Sequence, residues 1–225
     1  MGQDERLQGG ESMVQIIDIF LHLDVHLAEL AQSMGPWLYL VLFLIIFAET
    51  GLVVTPFLPG DSLLFAAGAL CAIDESGLNV HLLAGILIVA GVLGDAVNYS
   101  AGYFIGPKVF TSESSWFLNR KHLIKTEEFY HKHGPFTVVI ARFVPIVRTF
   151  APFVAGIGKM KYRKFFFYNV SGALAWVISF TYGGFLFGNV PAVKQNFHIV
   201  IVGIILVSVM PIVFEWLKHR RQKAA

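Results

Sequence analysis

The chain has 225 residues, of which 56% are hydrophobic and only 14% charged, with a mean hydropathy of +0.65. Soluble domains carry roughly 25% charged residues, so a soluble enzyme, a disordered chain and a nucleic-acid binder are all poor fits, which leaves a single-domain integral membrane protein. The net charge of +2 hides an asymmetry: residues 1–107 hold Arg6 against eleven acidic residues, and residues 108–225 hold sixteen basic residues against four acidic ones.

Residues 1–12 are polar with paired glycines and read as a flexible tail; no secretory signal is expected there. Residues 13–34 are apolar but carry Asp18, His22, His26 and Glu29 at spacings of four, four and three. One charged stripe on an apolar helix predicts an interfacial helix rather than a span. Gly35 and Pro36 end it.

Residues 37–73 form an apolar stretch broken around Pro56, Pro59 and Gly60. Each half has about twelve residues, ~18 Å of helix, against a bilayer core of ~30 Å. The break predicts an outward-opening re-entrant hairpin; a span over 37–57 followed by a shorter segment is the rival. Cys71 has no cysteine partner, so neither an intrachain disulfide nor a cysteine metal cluster can form. Residues 74–81 are polar, and 82–106 are long enough to span.

Residues 107–134 are a hydrophilic, basic loop, whose simplest role is topology and contact with anionic headgroups. Residues 135–158 repeat the earlier pattern. Arg142, Pro145, Arg148 and Pro152 interrupt an apolar segment, which predicts a second, inward-opening hairpin. Residues 165–188 and 197–217 read as spans, and 218–225 as a basic tail. Basic loops stay in the cytoplasm, so 107–134 and the C-terminus are expected inside and 74–81 outside.

The two halves look alike. Tyr99-Ser-Ala-Gly-Tyr-Phe-Ile-Gly106 ends the first long span and Thr181-Tyr-Gly-Gly-Phe-Leu-Phe-Gly188 ends the matching one, with their glycine pairs in register. Each span follows a proline-broken hairpin, and the hairpins open to opposite sides. The expected fold is therefore all-α and membrane-integral: an inverted repeat of re-entrant hairpin plus transmembrane helix, preceded by the interfacial helix. Broken helices meeting at the midplane are a transporter arrangement, although such glycine patterns also serve helix packing alone.

Glu49, Asp61, Asp95, Arg142 and Arg148 interrupt apolar segments. Each ionised group costs roughly 2.5–3.5 kcal/mol at a helix centre, so a ligand or ion pathway is the default reading. Arginine offers a planar fork to phosphate or carboxylate oxygens, and a desolvated carboxyl can take up a proton. If the hairpin tips meet, Glu49 and Asp61 face Arg142 and Arg148. Mutual counter-ions are the plain alternative. Asp95 and Asn98, a turn apart, either belong to the pathway or hydrogen-bond across a helix interface. Pro56, Pro59, Gly60, Pro145 and Pro152 are the expected hairpin breaks, where non-helical backbone needs protein or a watery cavity around it. The eight histidines avoid the centres of the apolar segments, which argues against an intramembrane hydrolase with a buried histidine base. No catalytic residue, metal or cofactor is expected.

Phe47-Ala-Glu-Thr-Gly-Leu-Val-Val-Thr-Pro-Phe-Leu-Pro-Gly-Asp-Ser62 and Ala141-Arg-Phe-Val-Pro-Ile-Val-Arg-Thr-Phe-Ala-Pro-Phe-Val-Ala-Gly156, followed by Met160, resemble the two signatures of the DedA family of bacterial inner-membrane proteins, also known by its SNARE-associated-like (VTT) domain. The resemblance covers about residues 14–220. It implies a multi-pass inner-membrane protein with opposed re-entrant hairpins, an acidic pair at Glu49 and Asp61, and an arginine pair at Arg142 and Arg148. It further implies a part in returning undecaprenyl phosphate or a related lipid phosphate across the membrane, or in proton-dependent transport and envelope integrity. The expected activity is a lipid-phosphate translocase, with Arg142 and Arg148 binding the headgroup and Glu49 and Asp61 coupling to protons. The alternatives are a proton-coupled antiporter of small ions and a non-transporting assembly or envelope-integrity factor. The expected partners are membrane lipid, in particular a polyprenyl phosphate, and protons; association with further copies of the chain is compatible with this, and nucleic acid is not a partner.

Overall fold

The computed structural model describes residues 31–52, 60–73, 76–109, 128, 130–195 and 203. The tail 1–12, most of the expected interfacial helix 13–34, the breaks Pro56 and Pro59, most of the basic loop 107–134, and the segments 197–217 and 218–225 lie outside the described residues, apart from position 203. Among the described residues every regular element is helical. They are α1 (Pro36–Gly51), α2 (Gly60–Leu70), α3 (Val80–Val109), α4 (Thr137–Ala141) after a 3-10 turn at Gly134–Phe136, α5 (Pro145–Ile157), α6 (Tyr162–Gly188) and α7 (Pro191–Gln195).

Local chemistry sets these limits. Gly35 takes φ +48°, which costs glycine little, and Pro36 supplies the first helical residue of α1. Pro145 starts α5, and the residue before it, Val144, is extended as a residue before proline should be. That pair makes the tip of the second hairpin, where the chain turns through Arg142–Val144. Pro152 does not break the hairpin as its sequence context implied. It lies inside α5, which runs on to Ile157; the loss is one backbone donor, and packing against neighbouring helices keeps the helix whole.

Helices α3 and α6 form the central antiparallel pair. His81 Nδ1 and the Tyr182 hydroxyl share a hydrogen bond of 2.6 Å at one end, and the Tyr99 and Phe165 rings stack with centroids 4.3 Å apart at the other. Val80–Phe104 and Tyr162–Gly188 are both long and apolar enough to cross a membrane.

Helices α1 and α2 have their outer ends at the start of α3. The Asn79 amide donates to the Tyr39 hydroxyl (2.8 Å), and Gly188, at the end of α6, abuts Ala69 and Ala72. Helices α4 and α5 have their outer ends at the opposite end of the pair, where Val138 and Ala155 pack with Tyr99 and Phe165. The Tyr99 hydroxyl there donates to the Met160 carbonyl. The two pairs of short helices thus lie at opposite ends of the long ones, and the end of α1, the start of α2, the end of α4 and the start of α5 come together beside the middle of α3 and α6.

The octapeptide repeat reappears in the packing. A Cβ on Gly68 of α2 would strike the Thr181 carbonyl, and one on Gly156 of α5 would strike the Tyr99 carbonyl. Gly184 meets the Phe65 backbone as Gly102 meets that of Phe153. Tyr99 and Gly102 therefore play toward α5 the parts that Thr181 and Gly184 play toward α2, the register in which the two octapeptides align. Each hairpin's second helix crosses the other repeat's long helix with backbones in contact, which admits no side chain at the crossing.

The core gathers Leu42, Ile46, Leu64, Leu83, Leu87, Ala90, Trp176 and Val177 from four helices. Outside it, α3 exposes Leu82, Val89, Leu93, Val97 and Phe104, and α6 exposes Phe167, Leu174, Ile178 and Leu186. These positions recur at helical spacing and form apolar stripes that suit lipid far better than water. Among the described residues the regular structure is all helical, and it has the lipid-facing stripes of a membrane protein.

Candidate functional site

The five charged residues singled out above converge between the hairpin tips, and they sort into two clusters rather than one square. Arg148, one turn into α5, pairs with both acids of the first hairpin. Its Nη1 donates to Asp61 Oδ1 at 2.6 Å and its Nη2 to Glu49 Oε1. Glu49 sits in the last turn of α1 and Asp61 in the first turn of α2, so the facing ends of these two helices present both carboxylates together. Gly60 makes that possible: its amide donates to Glu49 Oε1 (3.3 Å), and a Cβ there would fall on the Glu49 carboxylate. Asp61 also lies near the positive end of α2, which favours its negative charge.

Arg142 does not face this acidic pair. Its Nη2 reaches Asp95 Oδ2 of α3 at 2.6 Å, Asn169 Oδ1 of α6 at 2.7 Å and the Gly91 carbonyl at 3.3 Å. Asn169 Nδ2 in turn donates to the Val92 carbonyl (3.0 Å). Arg142 stands at the end of α4, where the chain turns away, so its side chain points between the two long helices. Asp95 is thus the counter-ion of Arg142, and Asn98 bonds elsewhere. Asn98 Nδ2 donates to the Thr50 carbonyl (3.2 Å) and the Thr149 carbonyl (2.9 Å), satisfying a C-terminal carbonyl of α1 that the helix itself leaves open and tying α1 and α5 to α3.

The clusters differ in access. The side chains of Arg142 and Asp95 are 2% and 3% exposed, whereas Arg148 and Asp61 show 11% and 33%. A pair that has lost all water is a strut, because removing either partner strands a buried charge. A pair with one open side can exchange partners.

Sequence reasoning missed Trp176 of α6. Its indole N–H donates to Asp61 Oδ1 at 2.7 Å, and its ring lies 5.1 Å from the Arg148 guanidinium and 5.6 Å from that of Arg142. Asn169 was missed as well; a lone amide in an apolar helix was the available signal. Among the described residues no group of three His, Cys, Asp or Glu side chains is arranged to hold a metal. What the open cluster can do chemically is take an anion: the fork of Arg148 already binds two carboxylate oxygens, and one of its two partners is reachable.

Comparison with known proteins agrees with a membrane family. The VTT domain model matches residues 58–186. The chain is 56% identical to protein DedA of Escherichia coli (strain K12) over 209 residues, which are 93% of this chain and 95% of that one. It is 34% identical to inner membrane protein YqjA of the same organism over 182 residues, 81% of this chain and 82% of the relative. An uncharacterized membrane protein of Mycobacterium tuberculosis is 39% identical over 170 residues, 76% of this chain and 74% of the relative. No solved structure matches the chain significantly.

Proposed function

Since the chain belongs to the DedA family of VTT-domain membrane proteins, we propose that it carries a lipid phosphate, such as undecaprenyl phosphate, across the bacterial inner membrane without enzymatic chemistry. The observation that carries this reading is the open ion-pair cluster. Arg148, with two carboxylates on its fork and one of them a third exposed, is a phosphate seat occupied by the protein's own acids.

In this reading the two hairpins are re-entrant. Helix α1 has 16 residues and α2 has 11, roughly 24 Å and 16 Å of helix, each short of the ~30 Å bilayer core. The headgroup enters between the tips, displaces Asp61 from Arg148 and crosses while the prenyl tail stays in lipid. Two anions on one guanidinium repel, so uptake of a proton by Asp61 or Glu49 eases entry and couples movement to the proton gradient. Arg142, neutralised by Asp95 and held by Asn169, keeps α4 fixed to the long helices beside the seat. The basic second half supports a cytoplasmic C-terminus, and the inner membrane is the location named for the relative YqjA.

The test is ligand-induced thermal stabilisation of the detergent-solubilised full chain. A ligand at 100 times its Kd stabilises by ~2.7 kcal/mol. Undecaprenyl phosphate should raise the melting midpoint and undecaprenol, lacking the phosphate, should not. Equal shifts with both would mean that only the tail is recognised, and no shift with either would remove the lipid substrate and favour a small-ion antiporter using the same acids.

A further inference from the structure

Resting on that reading, we infer that Trp176 is a positioning residue of the anion seat, one that makes Asp61 displaceable. One carboxylate oxygen, Asp61 Oδ1, accepts at once from Arg148 Nη1 (2.6 Å) and from Trp176 Nε1 (2.7 Å). An arriving phosphate takes the first of these donors and leaves the second. With the indole N–H in place, the displaced carboxylate keeps a partner and stays at the rim of the seat, ready to return. Without it, displacement strands a two-thirds-buried carboxylate with neither hydrogen bond, and a buried acceptor without a partner is costly. Trp176 therefore lowers the cost of opening the seat.

The rest of the residue fits that task. Trp176 is fully buried and fixed in the core formed by Leu64, Leu87 and Val177, so its N–H cannot follow Asp61 away. Its ring lies within cation–π reach of both guanidiniums, which holds Arg148 in orientation while its carboxylate partners change. A phenylalanine fills most of this volume and keeps an aromatic face, and only the N–H is lost outright.

The experiment measures the Kd of a fluorescent polyprenyl phosphate for the full chain in detergent, with the matching polyprenyl alcohol as control. The variants are Trp176→Phe, Asp61→Ala and the pair together. Trp176→Phe should weaken phosphate binding about three- to fivefold, because the N–H bond is kept before and after displacement and only the difference between losing Asp61's second partner and losing its last one reaches the Kd. In the Asp61→Ala background, with no carboxylate to displace, it should change binding less than about twofold. A purely structural role gives the same loss in both backgrounds and overturns the inference, as does no loss in either. Where Trp176→Phe lowers the amount of folded protein, benzothienylalanine at position 176 replaces it; sulfur stands there in place of the indole N–H with the shape preserved, and the same loss is expected. A wild-type chain that does not bind the phosphate overturns the proposed function, and this inference with it. A wild type that binds, with variants binding equally well, overturns this inference alone.

Discussion

Asp61→Asn separates the two jobs given to the acidic pair. Asp61 occupies Arg148 through a 2.6 Å contact, and in the proposed function a phosphate takes its place. A hydrogen bond between charged groups is worth about 1.5–3 kcal/mol when shielded. Asp61 is 33% exposed against 11% for Arg148, so solvent screening brings the value down to about 1–1.5 kcal/mol. Removing that competing charge should tighten binding of a polyprenyl phosphate by about 5- to 12-fold. The same change removes a carboxylate to which the proposal gives the coupling role, so translocation should slow and lose its response to an imposed pH gradient. Binding is read by thermophoresis in detergent and transport in proteoliposomes, with and without the gradient. Weaker binding by the Asn variant would refute the idea that Asp61 holds the substrate's seat. A stable variant that still responds normally to the gradient would falsify its coupling role.

Asp95→Asn leaves the Arg142 guanidinium buried without its counter-ion and should destabilise the chain by about 3–5 kcal/mol, seen as a lower melting midpoint. Replacing both partners with apolar residues, Asp95→Leu with Arg142→Met, should recover much of that loss. Arg148→Lys keeps the charge but loses the fork; it should fold normally and lose phosphate binding, which distinguishes it from changes at Arg142. Gly68→Ala and Gly156→Ala should each push apart a backbone crossing and destabilise by about 1–3 kcal/mol, to a similar extent if the two repeats are equivalent. In a chain with Cys71 replaced, a cysteine at position 77 should be labelled from outside and one at 222 only after permeabilisation, and the reverse pattern would invert the topology.

Much of this molecule is legible in the residues, because charge and proline are costly in apolar helices and stand out there. Glu49, Asp61, Arg142 and Arg148 were found on that ground, and the structure brings all four to the hairpin tips. The octapeptide register around Gly102 and Gly184 likewise reappears as matched helix crossings. Which acid meets which arginine was not legible. Arg142 and Arg148 are six residues apart in a broken segment, and only the turn at Val144 and Pro145 decides that one points between α3 and α6 while the other points to the first hairpin. Pro152 looked like a break because sequence shows the missing donor and not the neighbouring helices that keep α5 intact. Trp176 gave no signal, since a tryptophan in an apolar helix most often faces lipid or core. Its role follows from one hydrogen bond to a residue 115 positions away.

The most direct measurement is translocation itself. Labelled undecaprenyl phosphate is placed in one leaflet of liposomes containing the purified chain, and its arrival in the other leaflet is followed beside undecaprenol and beside the Arg148→Lys variant. A lipid-phosphate translocase with its seat at Arg148 moves the phosphate faster than empty liposomes do, leaves the alcohol at the background rate, and stops with the lysine variant. Phosphate movement at the rate of empty liposomes, or undiminished movement by Arg148→Lys, would contradict it.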